Sequence, residues 1–438
     1  MKYSNHDEMM IDYKKNNGIE KLALFSLFHH NINGKHEKYY YCASDICKSI
    51  TGLSGNDTTI KSIAEKLYCV ITNKLADLTD EQISITLTGG MDSRVLLACL
   101  LKAGVKPNCL VYGNKYASDV IVVRELAEKF GLKFHNAVHK LPTKYWYYDW
   151  VVETIKRDGG NSHLHRAHRT AAISEHAVLF NPKILFTGHM GGEGLRGLSY
   201  NNYFASPFFE SVNEGREKPL QAAQKVLYDY FHKTDTINYY DLLTKVMRLS
   251  WMKNDRERNK FFFLYDLVAN IHHAQDIRLY RTYIQEVIPV FMQKSYLEML
   301  FNSPYHFMAK PKGVMGRLAN PFVHCKLLEY LYPRLLDYPL SNGYKPRDYM
   351  KGLWYYVPKK LYRRYRQKRK HPPSFSYGSW YVNFVKEHSG NISDDIWEIY
   401  DKKRYMKNLY INKHGTDEGY WHKYSNPIYF DFINKILT

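Results

Sequence analysis

The run Leu87-Thr88-Gly89-Gly90-Met91-Asp92-Ser93-Arg94 brings two glycines, two hydroxyls, a carboxylate and a guanidinium together. Glycines let the backbone turn sharply and approach an anion with no Cβ in the way. The N–H groups that open a following helix lack intrahelical partners, and with the helix dipole they attract phosphate. Hydroxyls at Thr88 and Ser93 add donors, and Asp92 is a residue type that holds Mg2+ beside phosphates. The run lacks the Gly-Lys-Ser/Thr ending of a Walker A loop, so it is a different anion-binding device.

Such a loop works only between a strand and a helix, and the flanking sequence supplies both. Ile83–Leu87 alternates and is β-branched, which predicts a strand. Val95–Ala103 is an apolar helix that stops at Gly104. Asn108–Tyr112 is a second strand. Ser118 caps a predicted helix from Asp119 to Phe130 that closes at Gly131, and Leu132–Asn136 is a third strand. A helical period precedes all of these, from Thr58 to Leu78. The order β-α-β-α-β predicts a parallel sheet with covering helices. A fourth strand, Lys183–Phe186, runs into a second glycine-rich turn, Thr187-Gly188-His189-Met190-Gly191-Gly192-Glu193-Gly194-Leu195-Arg196-Gly197. From about 220 to 340 the periodicity is helical and predicts no comparable strand.

The first run resembles the Ser-Gly-Gly-x-Asp-Ser pyrophosphate loop of the N-type ATP pyrophosphatases, the PP-loop superfamily. Its Gly-Gly-x-Asp-Ser-Arg form is similar to the synthetase domain of the asparagine synthetases and their relatives, among them β-lactam-forming synthetases and lasso-peptide cyclases. The resemblance implies an α/β fold with a Rossmann-like parallel sheet, adenine nucleotide alpha hydrolase-like, and an α-helical extension. It also implies ATP and Mg2+, with a substrate carboxylate adenylylated, pyrophosphate released, and an amine or ammonia attacking to form an amide. On that resemblance Thr88, Gly89, Gly90, Asp92, Ser93 and Gly188 bind the ATP phosphates, and Leu110, Val111 and Tyr112 face adenine through backbone groups.

The second turn occupies the place of the family's Gly-x-Gly-Gly-Asp-Glu-Leu-Phe-Gly-Gly loop. With Met190 as an extra residue, Glu193 falls on the family's metal-binding Asp; without an insertion, Gly192 does. Asp92 and Glu193 are the expected Mg2+ ligands. His189 stands where asparagine synthetases place a catalytic glutamate, as a general base or a positioning group. Glu286-Val-Ile-Pro289-Val-Phe291 resembles the family's Arg-x-Pro-Phe segment without its Arg. Tyr365-Arg366-Gln367-Lys368 resembles Arg-x-Lys, which implies that Lys368, with Arg366, steadies the departing pyrophosphate.

Departures from the family narrow the expectation. Glutamine-hydrolysing asparagine synthetases carry a catalytic Cys directly after the initiator Met, and here Lys2 stands there before a short segment, 1–57. The expectation is therefore nitrogen from free ammonia, a substrate amine, or a partner protein that supplies ammonia or substrate. The predicted divisions are 1–57, an N-terminal remnant or docking piece; 58–215, the α/β core; 216–380, a helical remainder; and 381–438, an aromatic and basic tail. The acid itself can be a small molecule, a peptide or a sugar acid.

Composition sets the outer bounds. A formal charge of +19 favours anionic partners, and much of it gathers in the run Lys359–Lys370, which is a solvated helix face or a polyphosphate- or nucleic-acid-facing segment. Nucleic acid ranks below the acid substrate, and a tRNA- or nucleoside-modifying PP-loop enzyme is the alternative reading within enzymes. A degenerate, non-catalytic scaffold is the alternative outside them. His163-Leu-His165-Arg166-Ala-His168-Arg169 reads as ordinary surface or interface, as a substrate-facing basic patch beside the cleft, or as a metal run. The six cysteines lack zinc-site spacing, and no signal segment or apolar span of about 18 residues is present, so a cytoplasmic protein without membrane contact is expected.

Overall fold

The computed structural model describes residues 59–137, 145–160, 162–196, 228–233, 273–306, 321–351, 377–412 and 418–437, with isolated positions 221, 225, 355 and 358. Helix α1 (Ile60–Thr72) opens on a capping box: Ser62 N donates to Thr59 Oγ1 at 3.1 Å and Thr59 N to Ser62 Oγ at 3.0 Å. The pair satisfies two amides that the helix itself leaves over. The face made of Ile63, Ala64, Leu67 and Ile71 is buried, as the apolar spacing predicts.

Strand β1 (Ile83–Thr86), α2 (Asp92–Lys102), β2 (Asn108–Tyr112), α3 (Ser118–Phe130) and β3 (Phe134–Ala137) follow in the predicted order. α3 closes where glycine allows a left-handed turn, at Gly131 with φ 64°. Its start differs from expectation. Ala117 is the N-cap, Ser118 sits inside the first turn, and the Asp119 carboxylate turns to the glycine loop instead. Helices α4 (Trp146–Asp158) and α5 (Ala167–Phe180) lead to β4 (Ile184–Thr187), and the short α6 (Gly191–Arg196) follows it. Next come α7 (Ala274–Arg281), β5 (Glu286–Pro289), α8 (Lys294–Phe301), α9 (Phe322–Leu331) and α10 (Pro346–Met350).

β5 corrects the expectation of an all-helical stretch from 220 to 340. Glu286-Val-Ile-Pro289 is exposed at its first residue and buried at the next three, so no alternation betrays it. It lies at the sheet edge, where a terminal proline costs no ladder bond. The sheet order is β3-β2-β1-β4-β5, and every pairing is parallel. Ile83, Ile85, Leu185 and Phe186 are fully buried, because helices cover both faces. The fold is α/β, a Rossmann-like parallel sheet with an α-helical extension.

That order shapes the carboxyl edge of the sheet. From β1 the chain moves outward through β2 to β3, then returns to place β4 on the other flank of β1. The crevice outside the carboxyl ends of β1 and β4 is thus a topological switch point, the preferred ligand position in open parallel sheets. Both glycine-rich turns emerge there.

A second core lies apart from the sheet. Helices α11 (Tyr377–His388), α12 (Lys402–Asn412) and α13 (Glu418–Leu437) pack with α4. Residues 381–438, expected as a tail, thus contribute Tyr381, Tyr400, Tyr405, Trp421, Tyr424 and Tyr429 as buried core. Among the described residues no helix is long and apolar enough to cross a membrane.

Candidate functional site

α2 begins directly on the first glycine turn. Its first ladder bond is Val95 N to Met91 O at 3.0 Å, so the amides of Asp92, Ser93 and Arg94 precede the ladder. Ser93 Oγ accepts from Thr88 N at 3.1 Å and lies 3.1 Å from Thr88 Oγ1, which itself accepts from Gly90 N at 3.2 Å. The loop is therefore cross-tied by its own hydroxyls. Asp119, from α3, holds it from the side by accepting Gly89 N at 3.0 Å.

A third support comes from far along the chain. Arg94 is fully buried and donates to the carbonyls of Tyr338 and Pro339 at 2.6 and 2.7 Å. Burial lowers its guanidinium to about 10, and Glu125 partly opposes this, so the group stays charged at neutral pH. The segment it grips lies on the loop: Ser341 N donates to Gly89 O at 2.9 Å, and a Cβ on Gly89 would fall 2.6 Å from Ser341 Cβ. Arg94 is thus a staple for the anion loop, and glycine at 89 is what permits the close approach.

Asp92 is half-buried, and its Oδ1 is 2.6 Å from Nε2 of His324 on α9, a fully buried side chain. A carboxylate only accepts, so Nε2 carries the proton and the bond fixes the orientation of Asp92. Tyr296 of α8 lies within electrostatic range of the Asp92 carboxylate. Burial, and then the charge of Asp92, hold its phenol above the ordinary range. The Tyr296 hydroxyl is buried and finds no hydrogen-bond partner among the described residues.

The second turn packs directly on the first. A Cβ on Gly188 would lie 3.1 Å from Ser93 N, and one on Gly191 would lie 2.9 Å from both Asp92 Cβ and the Phe291 ring. Met190 takes the turn at φ 69°, a strained value for a side chain of that size. Beyond it, Glu193 lies 3.8 Å from His273 Nε2.

His189 enters a buried charge cluster. Its Nε2 is 3.3 Å from Asp276 Oδ2 and its Nδ1 is 2.9 Å from Thr187 Oγ1. Arg166 Nη1 lies 3.1 Å from Asp276 Oδ1, and Arg169 also binds the carboxylate directly. Burial raises Asp276, but the two guanidiniums and His189 outweigh it and hold the carboxyl well below its usual range. Burial lowers His189 to about 4, against the raising effect of Asp276, so the ring is neutral at pH 7. With one proton and a carboxylate at Nε2, the proton sits on Nε2 and Nδ1 accepts from Thr187. Both ring nitrogens are engaged, which is the arrangement of a positioning group; service as a base requires Thr187 to release Nδ1.

Ligand atoms of His189, His273 and Asp276 lie within 4.8 Å of one another. Two guanidiniums already share Asp276, so a dication there would meet two like charges. The His163–His168 run does not converge on a metal. His163 Nδ1 is 2.8 Å from His165 Nδ1 and its Nε2 is 3.1 Å from Ser425 Oγ, whereas His168 meets the Tyr112 ring edge-on at 5.6 Å.

Of the residues singled out from the sequence, Thr88, Gly89, Gly90, Asp92, Ser93 and Gly188 come together at the switch point. Glu193 and His189 flank them on the second turn. Leu110 and Val111 are buried inside β2, with Leu110 O accepting Leu87 N at 2.9 Å, and Tyr112 at the strand end is half-buried. Lys368, Arg366 and the basic run Lys359–Lys370 lie outside the described residues, as does the segment 1–57. Sequence reading passed over His324, Tyr296 and Asp276, which no motif marks; 232 residues separate His324 from Asp92, and 107 separate Asp276 from Arg169.

The donor set suits a phosphate with Mg2+. The α2 amides can receive an anion, a Cβ at Gly188 would crowd Ser93 N, Asp92 is an oriented carboxylate, and the buried Tyr296 hydroxyl has no hydrogen-bond partner among the described residues. No model of a known protein family matches the chain, and no curated protein matches it either.

Proposed function

We propose that the protein is an ATP-dependent, amide-forming ligase of the asparagine synthetase-like kind within the PP-loop superfamily. The observation that carries this reading is the meeting of two glycine turns at the switch point, with Gly188 against the amide of Ser93 and Asp92 beside it. A carboxylate oxygen of the acid attacks the α-phosphorus of ATP, the bond to the β-phosphate oxygen breaks, and pyrophosphate leaves. An amine or ammonia then attacks the acyl carbon, the bond from that carbon to the AMP oxygen breaks with its electron pair leaving on AMP, and the nitrogen loses a proton.

In this scheme the α2 amides and the Thr88 and Ser93 hydroxyls receive the departing pyrophosphate, with Leu110–Tyr112 along the adenine. Asp92 and Glu193 would hold Mg2+, whose chemistry is to neutralise charge on the phosphate oxygens. Lys368 and Arg366 add positive charge to the same step. His324 holds Asp92 in place, and His189 ties the second turn to Asp276. Positioning and electrostatics supply most of the acceleration in such a reaction.

The test is pyrophosphate release with Mg-ATP against a panel of acids, with and without ammonia or amines, and with Asp92→Ala as control. Acid-dependent release that the substitution removes supports the reading. Release driven by tRNA instead would transfer the protein to the RNA-modifying branch. No release with any acid, together with no ATP binding, would make it a scaffold.

A further inference from the structure

α5 precedes a parallel strand, so it runs back against the sheet and begins at the carboxyl edge, where the glycine turns lie. Its N-cap is Arg166, its first turn contains Arg169, and no acidic residue stands there. Cations at this end oppose the helix dipole, which favours anions. Asp276 offsets part of that cost by binding both guanidiniums.

Arg169 is gripped by Asp276 through Nη1. Its Nε is buried and meets no acceptor among the described residues, although the side chain as a whole keeps 23% of its surface exposed. Burial disfavours the charge, but Asp276 more than restores it. Tyr112, at the end of β2, and His189, in the second turn, both lie within electrostatic range of the guanidinium. A buried N–H without an acceptor among the described residues calls for an explanation, and at the carboxyl edge of the sheet a ligand oxygen supplies one.

We propose that Arg169 binds a carboxylate of the acid substrate, which takes the Nε–H and Nη2–H edge of the guanidinium in the two-bond fork that planar carboxylates favour. Asp276 clamps the opposite edge and keeps the fork from rotating. His189 directly follows Gly188, so an acid at Arg169 and phosphates at Ser93 occupy the two sides of one turn. What the acid undergoes there rests on the ligase reading; where it binds does not.

Calorimetric titration of the full chain separates the two. The probes are malonate and N-acetylglycine as simple carboxylates, and inorganic pyrophosphate with Mg2+. The wild type binds both kinds. Arg169→Gln weakens carboxylate binding at least about tenfold, the scale of a lost charge-assisted pair, and leaves pyrophosphate affinity intact. Ser93→Ala does the converse. Wild-type carboxylate affinity in Arg169→Gln, no carboxylate binding by the wild type, or loss of pyrophosphate alone in Arg169→Gln each overturn the proposal, the last by assigning the guanidinium to ATP phosphate. Should Arg169→Gln fail to fold by circular dichroism, Arg169→Lys carries the test. It keeps the charge without the fork, so carboxylate affinity falls several-fold, and an unchanged value overturns the proposal. Pyrophosphate that does not bind the wild type, with Arg169-dependent carboxylate binding preserved, sinks the ligase reading and leaves the site standing.

Discussion

The two glycine turns touch each other and are built on opposite principles. The first is held by backbone amides and short hydroxyls, with Asp119, Arg94 and His324 bracing it from three directions. Its single carboxylate, Asp92, keeps some access to solvent. The second is anchored by full charges taken out of water, one carboxylate binding two guanidiniums and a neutral imidazole. A preorganised dipole array is cheap to maintain and receives charge only when a ligand arrives. A buried ionic cluster is costly to assemble and, once assembled, is intolerant of losing a member. One edge of one sheet thus carries a turn braced by local hydrogen bonds beside a turn anchored to a buried charge cluster.

The largest expected effect follows from that intolerance. Asp276→Ala strands two guanidiniums, one of them fully buried, and costs about 3–5 kcal/mol of stability, the usual result of removing one partner of a buried pair. Asp92→Ala in the first turn lowers the urea midpoint far less. Equal losses in the two variants, measured by urea denaturation, would erase the distinction between the regions.

Function inverts the ranking. In the ligase reading Asp92→Ala lowers the rate of pyrophosphate release by about 10²–10³-fold, as the loss of one transition-state stabiliser typically does, in a protein that remains folded. Steady-state assay of pyrophosphate checks this, and full activity in that variant would remove Asp92 from the site.

The contrast also explains what the sequence disclosed. The first turn is a local pattern: an alternating strand, two glycines, then an apolar helix, all within Ile83–Lys102. Periodicity and turn chemistry act at that range, and four of the five strands among the described residues were legible for the same reason. β5 was not: it is as short as β1, β3 and β4, but it lies within a helical period and ends in proline with no glycine turn after it. The second turn was legible as glycines and His189, but its anchor was not. Arg166 and Arg169 form one half of a pairing completed more than a hundred residues later by a solitary aspartate. The aromatic C-terminal residues likewise read as a tail because their partner, α4, lies far upstream. Long-range charge pairing leaves no local signature.

Acid titration gives a finer probe of the second region. Burial holds His189 at about 4, below its ordinary 6.5. Between those values the unfolded chain binds a proton that the folded one refuses, so stability rises with pH across the window and is lost as pH falls from about 6.5 towards 4. His176 and His232, each lowered to about 3 by burial, steepen the same limb. His189→Gln removes one proton from the difference and flattens the slope by at most about 1.4 kcal/mol per pH unit. Denaturation midpoints at half-unit steps from pH 7 to 4 measure it, and an unchanged slope would show His189 protonated in the folded state.

The smallest effect tests the first region by its sign. Tyr296 buries a hydroxyl with no partner among the described residues, beside Asp92. An unsatisfied buried hydroxyl costs free energy, so Tyr296→Phe leaves the ligand-free protein unchanged or stabilises it by about 1 kcal/mol. If that hydroxyl completes the donor set around a Mg2+-bound phosphate, the same substitution weakens pyrophosphate binding several-fold. Stability and affinity then move in opposite directions, which a purely structural tyrosine does not produce: there, loss of packing would lower both. Thermal melting with and without Mg-pyrophosphate reads the two together, because a ligand that binds the folded state raises the midpoint by an amount that grows with the logarithm of its concentration over its Kd. A Tyr296→Phe protein that melts no lower than wild type when free, and gains less from the ligand, ties the hydroxyl to the anion site; an equal gain would leave it as a cost the fold carries for no ligand at all.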